Sequence, residues 1–378
     1  MLGTYLMMCA TLLFIDVIIG ITPKFMRKNI HFGIMLPYEA SEQEQVKNWS
    51  KQFFLASIIA TFIAIALLTI VALTANGTTE ENIELIAIVG SVAMIPLALL
   101  QFILYFVFHN RAKKFKSENY ATHEYKERER ITVDTAFREG NKSSFVWALL
   151  ISGVIIVVTA AVPMIHYHNI PHYIPNQWSQ GQPTAYIEKS RGFFMMMPGM
   201  QLIMVVSIAL ANHVIQNAKQ IINPRKAIAS SKNNQTYRKA TTIFLTFTQI
   251  ATVLFMMFIQ LGLTFSINPE PSLNWLVGVY IGAIFIGLLY FMIKYGQGGS
   301  RLKETGDDAN NFNMYDDDAY WKWGMIYYNP NDPALFVEKK FGIGATVNFA
   351  HKTSWWIILG ITILGVVIPL LSVFMSFW

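Results

Sequence analysis

His166, His168 and His172 fall within seven residues, followed by Glu188 and by Met195, Met196, Met197, Met200 and Met204, the densest set of side chains here that could bind a transition metal. Imidazole suits zinc or copper, and thioethers favour Cu(I). The His-x-His-x-x-x-His spacing lacks the paired separations of a structural zinc site, and methionines in an apolar helix are usually filler. The expectation is solvent-facing histidines with no resident metal or other cofactor.

Two further side chains stand out because they lie inside apolar segments. Cys9 has no base nearby in sequence, so it reads as a small packing residue rather than a nucleophile. Asp16 is the one carboxylate deep in an apolar stretch, where a charge costs at least ~2.5 kcal/mol on insertion scales. It needs a hydrogen-bond partner, and Gln101, Gln201, Gln249 and Gln260 are the polar candidates in other apolar segments. The readings left open for Asp16 are a ligand or coupling contact and interhelical glue. No HExxH, GxxxxGK[ST] or GxSxG motif is present, and no nucleophile–base pair is visible, so no catalysis is expected.

The elements that carry these residues follow from composition. Of 378 residues, 53% are hydrophobic and 14% charged; soluble domains carry about 25% charged residues, so the bilayer is the solvent to consider. Eight stretches reach the roughly 20 apolar residues needed to cross a hydrocarbon core: 2–21, 53–75, 85–108, 145–165, 193–210, 241–265, 275–293 and 355–377. The first has no cationic residue before it and is interrupted by Asp16, which argues for a retained helix rather than a cleaved signal.

The net charge of +6 would suit nucleic acid only if the cations were clustered without acids. Instead they alternate with the spans. Segments 22–52, 109–144, 215–240 and 294–354 hold 27 of the 29 Lys and Arg; Lys189 and Arg191 are the remainder. Positive segments are retained in the cytoplasm, so eight spans with both termini outside place each basic loop inside. The expected fold class is an all-α polytopic membrane protein of about eight transmembrane helices, with a small β-containing cytoplasmic module before the last helix. Its regions are a seven-helix part over 1–293 with an outer loop at 166–192, the module at 294–354, and the last helix at 355–378.

Within the loops, Ser41-Glu42-Gln43-Glu44 has the form of a capping box opening the second long helix. The segment after the seventh span begins Gly296-Gln297-Gly298-Gly299 and crosses Asp307, Asp308 and Asp316 to Asp318, which read as a flexible acidic tether. It then turns aromatic, with strand-like pieces at 321–328 and 335–349 separated by Asn329-Pro330-Asn331-Asp332-Pro333. Trp321, Trp323, Tyr327, Tyr328, Phe336 and Phe341 exceed what a connector needs, so part packs as a mini-core and part is a candidate partner surface.

The outer stretch Ile170-Pro171-His172-Tyr173-Ile174-Pro175-Asn176-Gln177-Trp178-Ser179-Gln180-Gly181 has three prolines with Pro183 included, which fix extended geometry, and a glycine suited to a tight turn. It resembles the outer-loop motif of bacterial multi-span proteins related to the SdpI immunity proteins, with Gln177 and Ser179 at the family's His and Asn positions. Phe32-Gly33-Ile34-Met35-Leu36-Pro37, Tyr320-Trp321-Lys322-Trp323-Gly324, Tyr327 through Pro333 and Phe336 through Gly344 are similar to other segments of those proteins. The resemblance implies a bacterial cell-membrane protein giving protection against a secreted peptide toxin, or signalling through a sequestered cytoplasmic regulator. The expected partners are the lipid bilayer, an extracellular peptide and a cytoplasmic regulatory protein, with no nucleic acid. The candidate contact residues are Asp16, His172, Gln177, Trp178, Gly181, Trp321, Trp323, Tyr328, Asn329 and Asp332. A transporter or permease component is the alternative; it requires a water-filled path past Asp16 and the membrane glutamines.

Overall fold

Apolar runs with charge confined to their ends become long helices. The computed structural model describes residues 2–74, 80–120, 142–179, 182–221, 226–265, 270–303 and 316–363. Helix α1 spans Leu2–Ile21, and a short α2 at Tyr38–Glu42 precedes α3 at Glu44–Thr74. Then follow α4 at Glu80–Asn119, α5 at Lys142–Ile165, α6 at Arg191–Asn217, α7 at Ala227–Thr264 and α8 at Glu270–Tyr295, with α9 opening at Lys352–Thr362. Among the described residues, seven helices are long and apolar enough to cross a membrane. The eighth expected span lies mostly outside the described residues; α9 is its described start.

The helices form two groups. Helices α1, α3 and α4 pack mutually, and so do α5, α6 and α7, with α8 along α7. Phe14 of α1 meets Phe285 of α8 at 4.1 Å between ring centroids, so the groups touch. At 1.5 Å per residue, the 31 residues of α3 and 40 of α4 run about 46 and 60 Å, well beyond a hydrocarbon core of about 30 Å. The excess length projects at one end, where Lys and Arg concentrate; we call it the basic end.

The capping box is not formed. Pro37 starts the short helix α2 one turn early, and that helix takes up Ser41, whose hydroxyl donates to the Pro37 carbonyl at 3.1 Å. Gln43 then adopts extended backbone, and its carbonyl accepts from Val46 and Lys47 to open α3. The helix starts where expected, by a different device.

Among the described residues, four small antiparallel strand pairs decorate the ends. At the end opposite the basic one, β3 at Tyr173–Ser179 pairs with β4 at Gln182–Glu188. Prolines favour this extended backbone, and the register shifts next to Asn176. The turn expected at Gly181 lies outside the described residues. At the basic end, Ile30–His31 (the first strand, β1) pairs with Ile34–Met35 (β2). Trp321–Lys322 (β5) pairs with Ile326–Tyr327 (β6), and Phe336–Glu338 (β7) with Ala345–Val347 (β8).

Candidate functional site

The strands at the basic end are too short to hold themselves, so their side chains bond outward. The expected acidic tether is corrected here: Asp307 and Asp308 lie outside the described residues, but Asp316, Asp317 and Asp318 are ion-paired within the molecule. Lys116, in the last turn of α4, places its ammonium 2.6 Å from both Asp316 and Asp318. Lys340 approaches from the β7–β8 hairpin, 2.5 Å from Asp317 and bonded also to Asp318. With 1% of its surface exposed, Lys340 is among the largest fully buried side chains. The Trp321 indole donates to Asp317 at 3.1 Å, and its ring centroid lies 5.9 Å from the Lys340 ammonium. Burial opposes ionisation of Asp318, but Lys340 and Lys116 outweigh it and hold its carboxyl below the ordinary value. The Met35 backbone N–H, 3.1 Å from the same carboxylate, ties β2 to this node.

A second ion pair joins the first loop to β7. Arg27 donates to both carboxylate oxygens of Glu338, at 2.9 and 2.8 Å, and both side chains are buried. Gly298 makes room for the pair: it has a φ of +56°, and a Cβ there would stand 2.1 Å from a Glu338 oxygen and 2.3 Å from an Arg27 nitrogen. Gln297 completes the junction, accepting from the Arg27 backbone and donating to the Lys339 carbonyl.

The third connection reaches α6. Lys219, just past its C-terminus, exchanges backbone hydrogen bonds with Phe336 and Glu338 across a parallel bridge to Val337. Its ammonium pairs with buried Asp332. The Tyr327 hydroxyl donates to Asp332 at 2.8 Å, and the Asn348 side-chain amide accepts from the Asn329 N–H at 3.0 Å and donates to the Asn329 carbonyl at 2.8 Å. Burial raises the Asp332 carboxyl, but Lys219 and the Ala334 N–H more than compensate and leave it low; burial and the Asp332 bond hold Tyr327 high. Segment 316–349 is therefore a clasp, bonded to α4 and the first loop on one side and to the end of α6 on the other.

Its docking also uses two turns of the same kind. Phe32-Gly33 joins β1 to β2, and Trp323-Gly324 begins the turn from β5 to β6. All four residues have positive φ, at 48°, 79°, 53° and 69°. A Cβ-bearing residue pays roughly 1–2 kcal/mol there, which glycine avoids. The glycines face each other so closely that a Cβ on Gly33 would stand 2.6 Å from the Gly324 Cα. The Tyr105 hydroxyl lies 2.9 Å from the Trp323 carbonyl and 3.2 Å from that of Phe32, donating to one at a time, and His109 donates to Phe32 at 2.8 Å. Phe341 inserts beside them, 4.6 Å from Tyr105 and 6.1 Å from Phe32 between centroids. The expected aromatic mini-core forms from Trp321, Tyr327 and Val337 within the module, and Phe341 joins a second cluster shared with α3, α4 and the first loop.

The other sequence candidates fall in separate places. Asp16, 1% exposed, accepts from Thr61 and, at 2.8 Å, from Gln101, which in turn accepts from Ser57 at 3.0 Å. Of the four glutamines proposed as partners, Gln101 is the one that meets it. Gln201, Gln249 and Gln260 instead link α5, α6 and α7, to Thr159, Ser152 and the Phe194 carbonyl. Cys9 is buried with Leu12, Ala60, Leu68 and Leu97.

At the hairpin end, His172 lies 3.3 Å from Glu188, the two side chains 61% and 67% exposed. His166 contacts the Val162 carbonyl. Among the described residues no group of three or more His, Cys, Asp or Glu is placed to hold a metal. A cleft of ≈ 190 Å³ lined by His166, Asn169, Ile170, Pro171, Thr264 and Phe265 opens beside the hairpin. Gln177 and Trp178 belong to β3, but their side chains, like all of Gly181, lie outside the described residues.

Of the module candidates, Trp321, Asn329 and Asp332 are buried and serve the clasp, whereas Trp323 and Tyr328 are exposed. Sequence reasoning passed over Arg27, Lys116, Lys219, Glu338 and Lys340. Their charges were counted as loop cations and anions; the one available signal was a Glu338-Lys339-Lys340 run inside an otherwise aromatic strand pair. The model of a family of unknown function, DUF5808, matches residues 330–355, from the turn after β6 to the first turn of α9. No curated protein and no solved structure matches the chain.

Proposed function

We propose that this chain is a non-catalytic, multi-pass protein of the bacterial cell membrane, acting in envelope stress, peptide-toxin immunity or signalling. It couples contact with a peptide at the hairpin end, outside, to a regulatory protein at the basic end, inside. The observation that carries this reading is the clasp: one segment bonded through charged groups to both helix groups is suited to report a change in their relative position. The 27-to-2 division of cations supports the orientation, and the resemblance of the outer loop and the 320–344 segment to SdpI-related proteins supports the class of function. Asp16, packed between Thr61 and Gln101, weighs toward interhelical glue rather than a transport path.

Two measurements test it. In a Cys9→Ala background, a cysteine at Tyr173 should react with an impermeant thiol reagent added to intact cells, and one at Lys232 should not; labelling at Lys232 would overturn the orientation. Glu338→Gln should leave the protein inserted but abolish the response of cells to a panel of membrane-permeabilising cationic peptides. A normal response would reduce the clasp to a structural plug and remove the inner half of the reading.

A further inference from the structure

The Trp323 side chain is unexplained by the clasp. It is 60% exposed and occupies a left-handed backbone position that favours glycine, yet its ring is not part of the shared core. Its partner in the paired turn, Phe32, pays the same backbone cost and is fully buried. Burial explains Phe32; some other contact must explain Trp323.

The neighbour it does touch is informative. The Trp323 ring stands edge-on to Phe106 of α4, 6.3 Å between centroids. Along that face of α4, Phe102, Ile103 and Val107 are exposed apolar residues, while Asn110, Lys113 and Lys114, one to two turns further, are exposed and polar. Trp323 is therefore held at the level where the α4 surface changes from apolar to cationic. Trp355 and Trp356, both exposed, follow the module at the start of α9, and Lys322 and Lys352, near these residues in sequence, are also exposed. An exposed indole with an apolar body and one N–H donor, at the level where the surface turns from apolar to cationic, has the chemistry of the bilayer interface.

We propose that the Trp323 turn is a lipid anchor, with its indole seated among phospholipid headgroups of the leaflet at the basic end, so that the clasp is fastened to the membrane surface as well as to the helices. Continuity with the apolar face of α4 favours lipid over a protein partner, because the ring touches a helix surface that faces lipid in the membrane-spanning reading. The inference rests on the membrane-spanning reading, and the experiment separates the two.

The full chain with Cys9→Ala is reconstituted into vesicles of phosphatidylcholine and phosphatidylglycerol with no other protein. Single cysteines at Phe102, Trp323 and Asn331 are spin-labelled, and collision rates are read with oxygen, with a soluble nickel chelate and with a nickel-chelating lipid. Phe102 should favour oxygen, exposed Asn331 the soluble chelate, and Trp323 the headgroup-tethered nickel above either of the others. If Trp323 is as open to the soluble chelate as Asn331 while Phe102 remains in lipid, the anchor is wrong and the ring is free for a protein. If Phe102 is also in water, the spanning reading itself fails. Trp323→Phe, which keeps an aromatic at the turn, provides a check that does not depend on the label: relative to the unsubstituted protein it should lose part of the tryptophan quenching by lipids brominated near the headgroup. Unchanged quenching overturns the anchor.

Discussion

The two ends of the molecule spend charge in opposite ways. At the hairpin end, His172 and Glu188 meet at 3.3 Å with most of both side chains in solvent. At the basic end, Lys340 is 1% exposed and meets two carboxylates, with two more cation-carboxylate contacts through Lys116. Exposed pairs contribute little because solvent screens them, whereas a buried charge that loses its partner is strongly destabilising. The hairpin end is thus free to change its contacts at low cost, while the basic end has one arrangement that satisfies its charges. That asymmetry suits a molecule touched at one end and read at the other.

The contrast is broken most severely by Lys340→Met, which leaves Asp318 with Lys116 and Asp317 with the Trp321 indole in place of a cation. A loss of about 3–5 kcal/mol is expected in the stability of the clasp, measured as faster hydrogen exchange and protease cutting within 316–349 while the hairpin is unaffected. Unchanged protection would mean that the node does not hold the clasp. Acid attacks the same end. Burial lowers His31 from 6.5 to about 4, so its contribution is present above pH 6.5 and is lost as pH falls toward 4. Asp318 and Asp332 lie below the ordinary 3.8 in the folded chain; their contribution is present above that value and is lost below it. Protease sensitivity of 316–349 should therefore rise in two steps between pH 7 and 3. A rise between pH 7 and 9 instead would contradict this assignment.

Gly324→Ala should come next. The added Cβ would stand 2.8 Å from the Gly33 Cα, between backbones that cannot retreat, at a φ of +69°. A cost of about 2 kcal/mol is expected, read as lower thermal stability in detergent. Gly344→Ala, also at positive φ but with open space around it, isolates the backbone share. If the two alanines cost the same, the glycine-to-glycine contact contributes nothing.

How much of this the sequence disclosed depends on the range of the physics involved. The long helices were legible because twenty-residue apolar runs have few alternatives, and the strand content of 321–328 and 335–349 because aromatic runs flank a proline-rich turn, although each piece folds back on itself as a hairpin instead of pairing across that turn. One Asp16 partner was legible in kind, a glutamine of another apolar segment, but which glutamine, and the second partner Thr61, depended on helix packing that periodicity does not encode. The clasp was not legible: Arg27 and Glu338 are 311 residues apart, and nothing local distinguishes a lysine destined for burial from one left in solvent. Asp316 to Asp318 read as a tether because a run of acids repels itself unless distant cations arrive. The pairing of Phe32-Gly33 with Trp323-Gly324 was in view as two aromatic–glycine steps, yet only the fold shows them back to back.

The smallest effect is expected at the hairpin, and it is the most informative about function. His172→Ala removes a solvent-screened pair with Glu188 and a ring contact to Tyr173 at 5.0 Å. The hairpin ladder survives, since the bond from Lys189 N–H goes to the His172 backbone carbonyl at 2.8 Å. Thermal stability should change by about 0.5 kcal/mol or less. If His172 is a contact for an outside peptide, the same variant should weaken the cellular response to that peptide well beyond what so small a change in stability can cause. A stability loss near that of Lys340→Met would erase the contrast between the ends. A variant equal to the parent in both stability and response would keep the contrast and remove His172 from the proposed outer contact, leaving the cleft beside Phe265 as the place to look for it.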